Sequence, residues 1–185
     1  LVKGGDFRSA RQVWMTLTPK GEKEVLLGNG RFFREPVRSP FDWQIREQRG
    51  VQFQRRDGLA VRFDGTVNLS LANVRQCAWL QPGPYRLLAD VSSEGLPTDQ
   101  RPFFQVFDAQ SPSRLMVVTP MVEPSAAHAS LEAKFHVTSA SQWVCVQLVR
   151  RPSGKFDNKV EGSLRIHSVK LEDLSARTRT SASAK

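Results

Sequence analysis

Apolar and polar residues alternate along most of this sequence. In Gln142–Val149, the side chains of Val144, Val146 and Leu148 fall on one face and the residues between them fall on the other. A period of two residues is typical of a β-strand that buries one face and exposes the other. About ten or eleven such segments follow the N-terminal region, with turn signals such as Asp57-Gly58 between them and no helical pattern. The pattern therefore predicts an all-β domain.

The strands are expected to form two antiparallel sheets packed face to face, because each alternating segment has one face to bury. A jelly roll, a β-sandwich of two such sheets, accommodates this number of strands. A closed barrel of about eight to ten strands is the alternative, and it would hold a ligand inside. About ten or eleven strands are expected from twelve segments with some strand character, which are Val25–Leu27, Phe41–Ile45, Val51–Phe53, Leu59–Phe63, Val67–Leu71, Val74–Leu80, Tyr85–Val91, Phe103–Phe107, Leu115–Thr119, Leu131–Val137, Gln142–Val149 and Ser163–Leu171.

The residues before the strands follow a helical period instead. Phe7, Ala10 and Trp14 recur at helical spacing, and Asp6 is placed to cap the N-terminus. The spacing predicts one short amphipathic helix over residues 5–17. So short a helix is stable only when it packs on something, and we expect Trp14 to dock it on the sheet.

These patterns divide the chain into three parts. Residues 1–20 form the N-terminal helical part, and residues 24–174 form the β-sandwich. Residues 175–185 are small, polar and basic, which is typical of a disordered tail. No run of apolar residues approaches the roughly 18 that a membrane-spanning helix needs.

The chain carries a formal net charge of +9, from 27 Lys and Arg against 18 Asp and Glu. Such a surface attracts acidic polysaccharides, lipid headgroups, nucleic acids or acidic proteins. The arginines are scattered along the whole chain without a dense basic run, which argues against nucleic acid as the partner. The charge alone does not select among the other anions.

Two cysteines are present, and the spacing of Cys77 and Cys145 fits no zinc or redox motif. Both lie in predicted strands. One long-range disulfide and two unconnected buried thiols remain open as interpretations, since buried free cysteine is common. Among the other side chains, Trp43 is predicted to lie in the core and His136 to face solvent.

Three phrases resemble jelly-roll carbohydrate-binding modules of the galactose-binding-domain-like superfamily. They are Leu27-Gly28-Asn29-Gly30-Arg31-Phe32, Leu80-Gln81-Pro82-Gly83-Pro84-Tyr85-Arg86-Leu87 and the closing segment Gly162–Leu171. Their order and separation match these modules, so the resemblance covers roughly residues 24–174. It implies a jelly roll that binds carbohydrate on the concave sheet face opposite the core.

The helical segment resembles a different family. Gly5-Asp6-Phe7, followed by Ala10 and then Val13-Trp14, is similar to the last helix of tetratricopeptide-type repeats. Bacterial envelope proteins join such repeats to a C-terminal jelly roll. This resemblance implies that the chain is the C-terminal domain of a helical-repeat protein of the cell envelope, periplasmic or exported.

No metal, cofactor or catalytic site is expected. The superfamily often binds a structural calcium through acidic residues, but Phe33, His167 and Ser168 stand at the matching positions, and calcium requires several oxygen ligands. Motifs such as GxSxG, HExxH, GxGxxG and a Walker loop are missing, and the three histidines lie in different segments. The sequence therefore predicts a protein that is not an enzyme.

Candidate ligand-binding residues follow from the alternation. Trp143 and Gln147 fall on the face of their strand opposite the core, where an aromatic ring can stack under a sugar and an amide can bind its hydroxyls. The same reasoning selects Arg86, Asp90 and Gln105, although the phase of the strand that contains Gln105 is ambiguous. A Trp143 ring covered by a loop or a neighbouring strand is the alternative.

Two functions are carried forward. The first is a non-catalytic module that binds carbohydrate, with an anionic bacterial polysaccharide favoured by the charge. The second is a protein-interaction or structural accessory domain of a helical-repeat protein, which predicts an exposed apolar patch and no aromatic groove.

Overall fold

A computed structural model describes residues 6–17, 25–156 and 158–175. The described residues contain one helix, α1 (Phe7–Leu17), and ten strands. Most of the predicted disordered tail, from residue 176 onward, lies outside the described residues. The strands are β1 (Gln44–Ile45), β2 (Val51–Arg55), β3 (Leu59–Asp64), β4 (Leu71–Trp79), β5 (Gly83–Glu94), β6 (Phe103–Asp108), β7 (Met116–Val118), β8 (Ala126–Val137), β9 (Trp143–Arg150) and β10 (Glu161–Asp173).

The strands form two antiparallel sheets of five. We call the sheet with the order β1-β4-β9-β6-β7 the front sheet and the sheet with the order β2-β3-β10-β5-β8 the back sheet. The predicted two-sheet sandwich with one N-terminal helix is confirmed. The alternative of a closed barrel is wrong, because no described strand of one sheet pairs with a strand of the other.

The core lies between the two sheets and is filled by alternate residues of their strands. Each fully buried aliphatic side chain contributes roughly 1.5–3 kcal/mol through the apolar area that it removes from water. On the central strand β9 of the front sheet and on β5 of the back sheet, the residues at most 1% exposed include Val144, Val146, Leu148, Leu87, Ala89 and Val91. Trp43 is also in this core and His136 is exposed, as predicted.

The tight turn between β2 and β3 lies at Asp57-Gly58, as the sequence predicts. Both residues have positive φ, +54° at Asp57 and +107° at Gly58. A Cβ atom on Gly58 would lie 2.2 Å from the carbonyl oxygen of Ile166 in β10. Glycine is therefore required here both for the backbone conformation and for the close approach of the two chains.

Two segments predicted as strands are loops. Val25–Leu27 leads into a turn that passes over β10. There the amide of Val169 donates to the Gly30 carbonyl at 2.9 Å, and a Cβ atom added to Gly30 would lie 2.2 Å from the Val169 carbonyl oxygen. The residues before β4 alternate and bury Leu69, but the Asn68 side chain pairs with the backbone of Ser153 in place of a strand ladder. Burial of alternate side chains is thus insufficient to define a strand without a partner backbone.

Helix α1 confirms the predicted helix and its cap. The Asp6 carboxylate accepts a hydrogen bond from the Ser9 amide at 3.1 Å, which satisfies one of the free donors of the first turn. Trp14 stacks on Phe41 with 6.3 Å between ring centroids, so it docks the helix on the front sheet as expected.

Cys77 of β4 and Cys145 of β9 lie directly opposite each other and form a disulfide. The structure thus selects the first of the two interpretations left open by the sequence. The bond connects two neighbouring strands of the front sheet on its outer face, and it closes a loop between residues 68 positions apart.

Candidate ligand-binding face

The outer face of the front sheet carries the residues that alternate with the core. Along β9, Trp143, Cys145 and Gln147 point outward, while Val144 and Val146 point into the core. On β6, Phe104 and Val106 point inward, so Gln105 lies on the outer face, which resolves the phase left open by the sequence. This face has an apolar half and a polar half.

The apolar half lies under helix α1. Trp79 stands opposite Trp143, and the disulfide and Phe107 occupy the next positions along the strands. Phe7 and Ala10 of α1 pack on these residues together with Phe41. The helix therefore covers an aromatic surface that the sheet alone would expose.

Trp143 is 5% exposed because two aromatic rings cover it. Phe7 stacks on its ring with 4.6 Å between centroids and an interplanar angle of 15°, and Phe41 meets it edge-on at 5.2 Å. Phe7 thus occupies the outward face of the Trp143 ring. In this structure the surface of Trp143 that the sequence predicts to stack on a sugar is therefore covered by α1.

The polar half is a row of side chains that crosses four strands, which we call the amide row. It consists of Gln44 of β1, Arg75 of β4, Gln147 of β9 and Gln105 of β6, each directly opposite the next. All four are partly exposed. With strands about 4.8 Å apart, the row runs about 14 Å across the sheet, so its donors and acceptors can contact an extended polar ligand.

The members of the amide row differ in how far their polar atoms are already bound. Arg75 donates to Oε1 of Gln44 at 3.2 Å, and Gln147 donates to the backbone carbonyl of Ala72. Gln105 has no side-chain hydrogen bond to any described residue. Burial lowers the pKa of Arg75 below its ordinary value, and the nearby positive charge of Arg46 lowers it further.

Arg86 and Asp90 lie on the opposite side of the molecule, on β5 of the back sheet. The Arg86 guanidinium is paired with Glu172 at 2.5 Å and with Glu132 at 3.5 Å. The Asp90 carboxylate accepts a hydrogen bond from Ser168 at 2.8 Å. The structure therefore brings Trp143, Gln147 and Gln105 onto one face and separates Arg86 and Asp90 from them.

Sequence reasoning missed two members of the amide row and the helical cover. Arg75 alternates with the core residues of β4, a signal that was present but ambiguous. Gln44 joins the row through the pairing of β1 with β4, and a two-residue strand carries no period that could reveal its partner. The contact of Phe7 with Trp143 joins residues far apart in the sequence.

Within the described residues, no three His, Cys, Asp or Glu side chains are grouped so that they could hold a metal ion. No described helix has both the length and the apolar character that crossing a membrane requires. Phe33, at one position that the resemblance associates with calcium, points into solvent with 74% of its surface exposed.

No protein-family model matches this chain, and no curated protein matches it. Among solved structures, it is similar to the TmCBM61 module in complex with β-1,4-galactotriose, with a TM-score of 0.55, 14% identity, and coverage of 81% of this chain and 99% of that chain. It is also similar to the enzymatically active domain of bacteriophage CBA120 tailspike protein 4, with a TM-score of 0.57 and 10% identity over 82% of this chain and 22% of that chain. A Bacteroides thetaiotaomicron protein whose sugar-binding role is an inference matches with a TM-score of 0.50 and 10% identity over 81% of this chain and 100% of its own. The chain therefore has the jelly-roll fold that carbohydrate-binding modules also use.

Proposed function

We propose that this chain is a non-catalytic carbohydrate-binding module and that its ligand lies along the amide row. The observation that carries the proposal is this row of three amides and one guanidinium on a partly exposed sheet face. Amides offer both donors and acceptors, which suits hydroxyl groups that do both as well. The likeness to TmCBM61, solved with a galactotriose, supports the same class of ligand.

The ligand is proposed to be an oligosaccharide stretch that crosses the strands. Gln44 and Gln105 mark the two ends of the row, and Arg75 and Gln147 lie between them. Trp79 and Trp143 lie farther along the same strands under α1, where they would add a stacking surface once the helix has moved.

An anionic polysaccharide is the favoured ligand. The chain has a net charge of +9, and Arg75 lies within the amide row with Arg46 beside it. Guanidinium groups bind carboxylate and sulfate oxygens through parallel hydrogen bonds. A neutral galactan is therefore expected to bind more weakly than a polysaccharide of similar linkage that carries carboxylates.

The test is a binding screen followed by a matched pair of variants. Neutral and acidic polysaccharides are run in affinity gels, and the best soluble oligosaccharide is titrated by calorimetry. The double variant Gln147→Ala, Gln105→Ala should lose at least about tenfold in affinity, because two hydrogen-bonding groups are removed. The double variant Gln52→Ala, Gln54→Ala, on exposed positions of β2 in the back sheet, is the control.

Two results would contradict the proposal. The first is a screen in which no neutral or acidic polysaccharide retards the protein. The second is equal affinity of the amide-row variant and the wild type for the oligosaccharide that binds best.

A protein-interaction function is the second candidate, favoured by the exposed edge of the front sheet. Strand β7 is the edge strand of that sheet on the side opposite β1. Its outward side chains Met116 and Val118 are exposed, as is Met121 just beyond it. An unpaired edge with apolar side chains can accept a strand from another chain. Helix α1, if it ends a helical-repeat region, would join that region rigidly to the sandwich.

The edge can be tested by adding charge to it. The variant Met116→Lys, Val118→Lys should abolish any concentration-dependent association seen by light scattering. Val118 lies opposite Gln105, so sugar affinity is measured on the amide-row variants and not on this one. A wild-type protein that stays monomeric at all accessible concentrations would contradict self-association through this edge.

A further inference from the structure

A cleft at one side of the sandwich forms a second concave site, which we call the edge cleft. It lies where β1, one edge strand of the front sheet, faces β2, one edge strand of the back sheet. The loop 35–40 makes its outer wall, and its volume is about 630 Å³, within the range of small-ligand sites. Its charged lining consists of Glu35, Arg38, Arg46, Glu47 and Arg55, and Ser39 and Gln44 add uncharged polar groups.

The floor of the edge cleft contains a buried donor without an acceptor. Trp43 lines the cleft and is 1% exposed, and its indole N–H has no hydrogen-bond partner in the part of the chain that the structure describes. A buried donor left unpaired is costly, so few are found in folded proteins. An acceptor oxygen on a ligand would satisfy this group if it reached the indole nitrogen, which is itself covered in the structure.

The wall of the cleft is held in place before any ligand arrives. The fully buried carboxylate of Asp42 accepts hydrogen bonds from the amides of Val37 and Trp43, at 3.1 and 2.8 Å, and from Arg34. Pro36 and Pro40 restrict the backbone at both ends of the loop that carries Arg38. Preorganisation of this kind lowers the entropic cost of binding.

The cleft holds cations that no described carboxylate neutralises. Arg55 is paired with Glu35, but Arg38 and Arg46 form no ion pair within the described residues. Arg46 is also close enough to Arg75 of the amide row for the two charges to repel. Guanidinium groups that line one cleft attract an anion.

The remaining lining suits a sugar better than a bare anion. Phe53 is partly exposed at the mouth of the cleft, where its ring can contact the apolar face of a sugar. Glu47 has no ion pair among the described residues, and its carboxylate can accept hydrogen bonds from hydroxyl groups. An anion, an apolar face and several hydroxyls together describe a uronic acid.

We propose that the edge cleft binds a uronic acid unit of an acidic polysaccharide, with its carboxylate beside Arg38 and Arg46 and a ring or carboxylate oxygen at the Trp43 indole. The inference rests on the proposed carbohydrate-binding function but not on the amide row. The cleft and the row are adjacent through Gln44, which lines both, so one acidic chain can occupy the two sites together.

The probe is digalacturonate, titrated by calorimetry beside neutral digalactose and acetate. Wild-type protein should bind digalacturonate at least about tenfold more tightly than either of the others, since each of them lacks one part of the recognised group. Equal binding of digalactose would overturn the role of the carboxylate. Equal binding of acetate would overturn the role of the sugar.

Matched variants locate the site. The variant Arg38→Gln, Arg46→Gln should lose at least about tenfold in digalacturonate affinity, while Arg56→Gln, Arg62→Gln removes the same charge from exposed positions outside the cleft and should lose much less. Trp43→Phe removes the N–H and keeps a ring, and it should weaken binding about tenfold while the far-ultraviolet circular dichroism spectrum stays that of the wild type.

The outcomes separate this inference from the proposed function. Binding that depends on Gln147 and Gln105 but not on Arg38 and Arg46 overturns the cleft and keeps the module. Binding that depends on the two arginines alone supports the cleft and overturns the assignment to the amide row. Failure of digalacturonate to bind overturns the cleft, and the polysaccharide screen then decides the function separately.

Discussion

Arg150 is a fully buried cation at one end of the sandwich. Its side chain is 0% exposed, and its guanidinium donates to the backbone carbonyls of Leu69 and Asn158. Burial lowers its pKa below the ordinary value of arginine, although guanidinium remains protonated. The residue joins two loops at one end of the sandwich that have no strand ladder between them.

Replacing Arg150 by alanine should lower the free energy of unfolding by about 3 kcal/mol, because two buried carbonyls lose their donors and a cavity remains. The free energy of unfolding of Arg150→Lys should lie between those of the wild type and Arg150→Ala, since one ammonium group cannot make both hydrogen bonds of the planar guanidinium. Urea unfolding measures both. Arg151→Ala is the control, because its side chain is exposed and contacts the Phe103 ring at 5.3 Å. A loss no larger than that of the control would contradict this role.

Glu172 is expected to make the stability of the fold depend on pH. Hydrogen bonds from Arg86 and then Lys170 lower its pKa from 4.5 to about 2. A carboxylate whose pKa is lower in the folded state stabilises the fold above its unfolded pKa, and this contribution is lost as the pH falls from about 4.5 towards 2. The contribution is modest because the pair is near the surface.

The variant Glu172→Gln should therefore be less stable than the wild type at neutral pH, and the difference should shrink as the pH falls through that interval. Urea midpoints measured at several pH values test the shape of the curve. Glu94→Gln, at an exposed position of the neighbouring strand β5, should follow the wild-type curve. A difference from wild type that stays constant with pH would show that the charge of Glu172 is not the cause.

At the scale of elements, α1 decides which part of the front sheet a ligand can reach. Eleven residues are too few for a stable isolated helix, so its contacts with Trp79, Trp143 and Phe41 hold it in place. The same contacts remove the aromatic half of the sheet from solvent. The proposed ligand role of Trp143 therefore depends on movement of the helix.

Replacing Phe7 by alanine should loosen α1 and expose Trp143, because it removes the ring stacked at 4.6 Å. We expect red-shifted tryptophan fluorescence and faster hydrogen exchange of the helix amides, with the sandwich still folded. Val13→Ala, on the exposed side of the same helix, should change neither. If Trp143 binds sugar, Phe7→Ala will also bind the best oligosaccharide more tightly than the wild type. Unchanged fluorescence would contradict the helical cover.

At the scale of the whole molecule, the disulfide joins segments that lie far apart in the chain. Cys77 and Cys145 are 68 positions apart, and the loop they close contains β5 to β8. A cross-link over a loop of this length restricts the unfolded chain strongly. It fastens the neighbouring strands β4 and β9 below α1.

The variant Cys77→Ala, Cys145→Ala should lower the free energy of unfolding by about 2–4 kcal/mol. Guanidinium unfolding of the wild type with a reductant present should show a similar loss, while the reductant should not affect the variant. Thiol titration of the oxidised native protein should find fewer than one free thiol per chain. Two reactive thiols in the unreduced protein would contradict the bond.

Most of the architecture was predictable because alternation is a local property. Each strand shows by its own period which side chains are buried, so the sandwich, the inward faces of β5 and β9 and the outward position of Trp143 followed from segments of a few residues. The capped helix was predictable for the same reason. Errors fell where local pattern and strand pairing differ, as at Val25–Leu27, a short apolar run that pairs with no described strand.

The binding surfaces depend on pairing across the sheets, which a local period does not encode. The order of the strands decides that Arg86 and Asp90 lie on the other sheet from Gln147. The pairing of β1 with β4 brings Gln44 opposite Arg75, and the position of the helix brings Phe7 onto Trp143. The amino-acid sequence alone specified an antiparallel sandwich with a short N-terminal helix, because the alternation of apolar and polar residues within each strand determines which side chains are buried. The disulfide, the amide row and the edge cleft were decided by tertiary structure, because each joins residues that only the arrangement of the two sheets brings together.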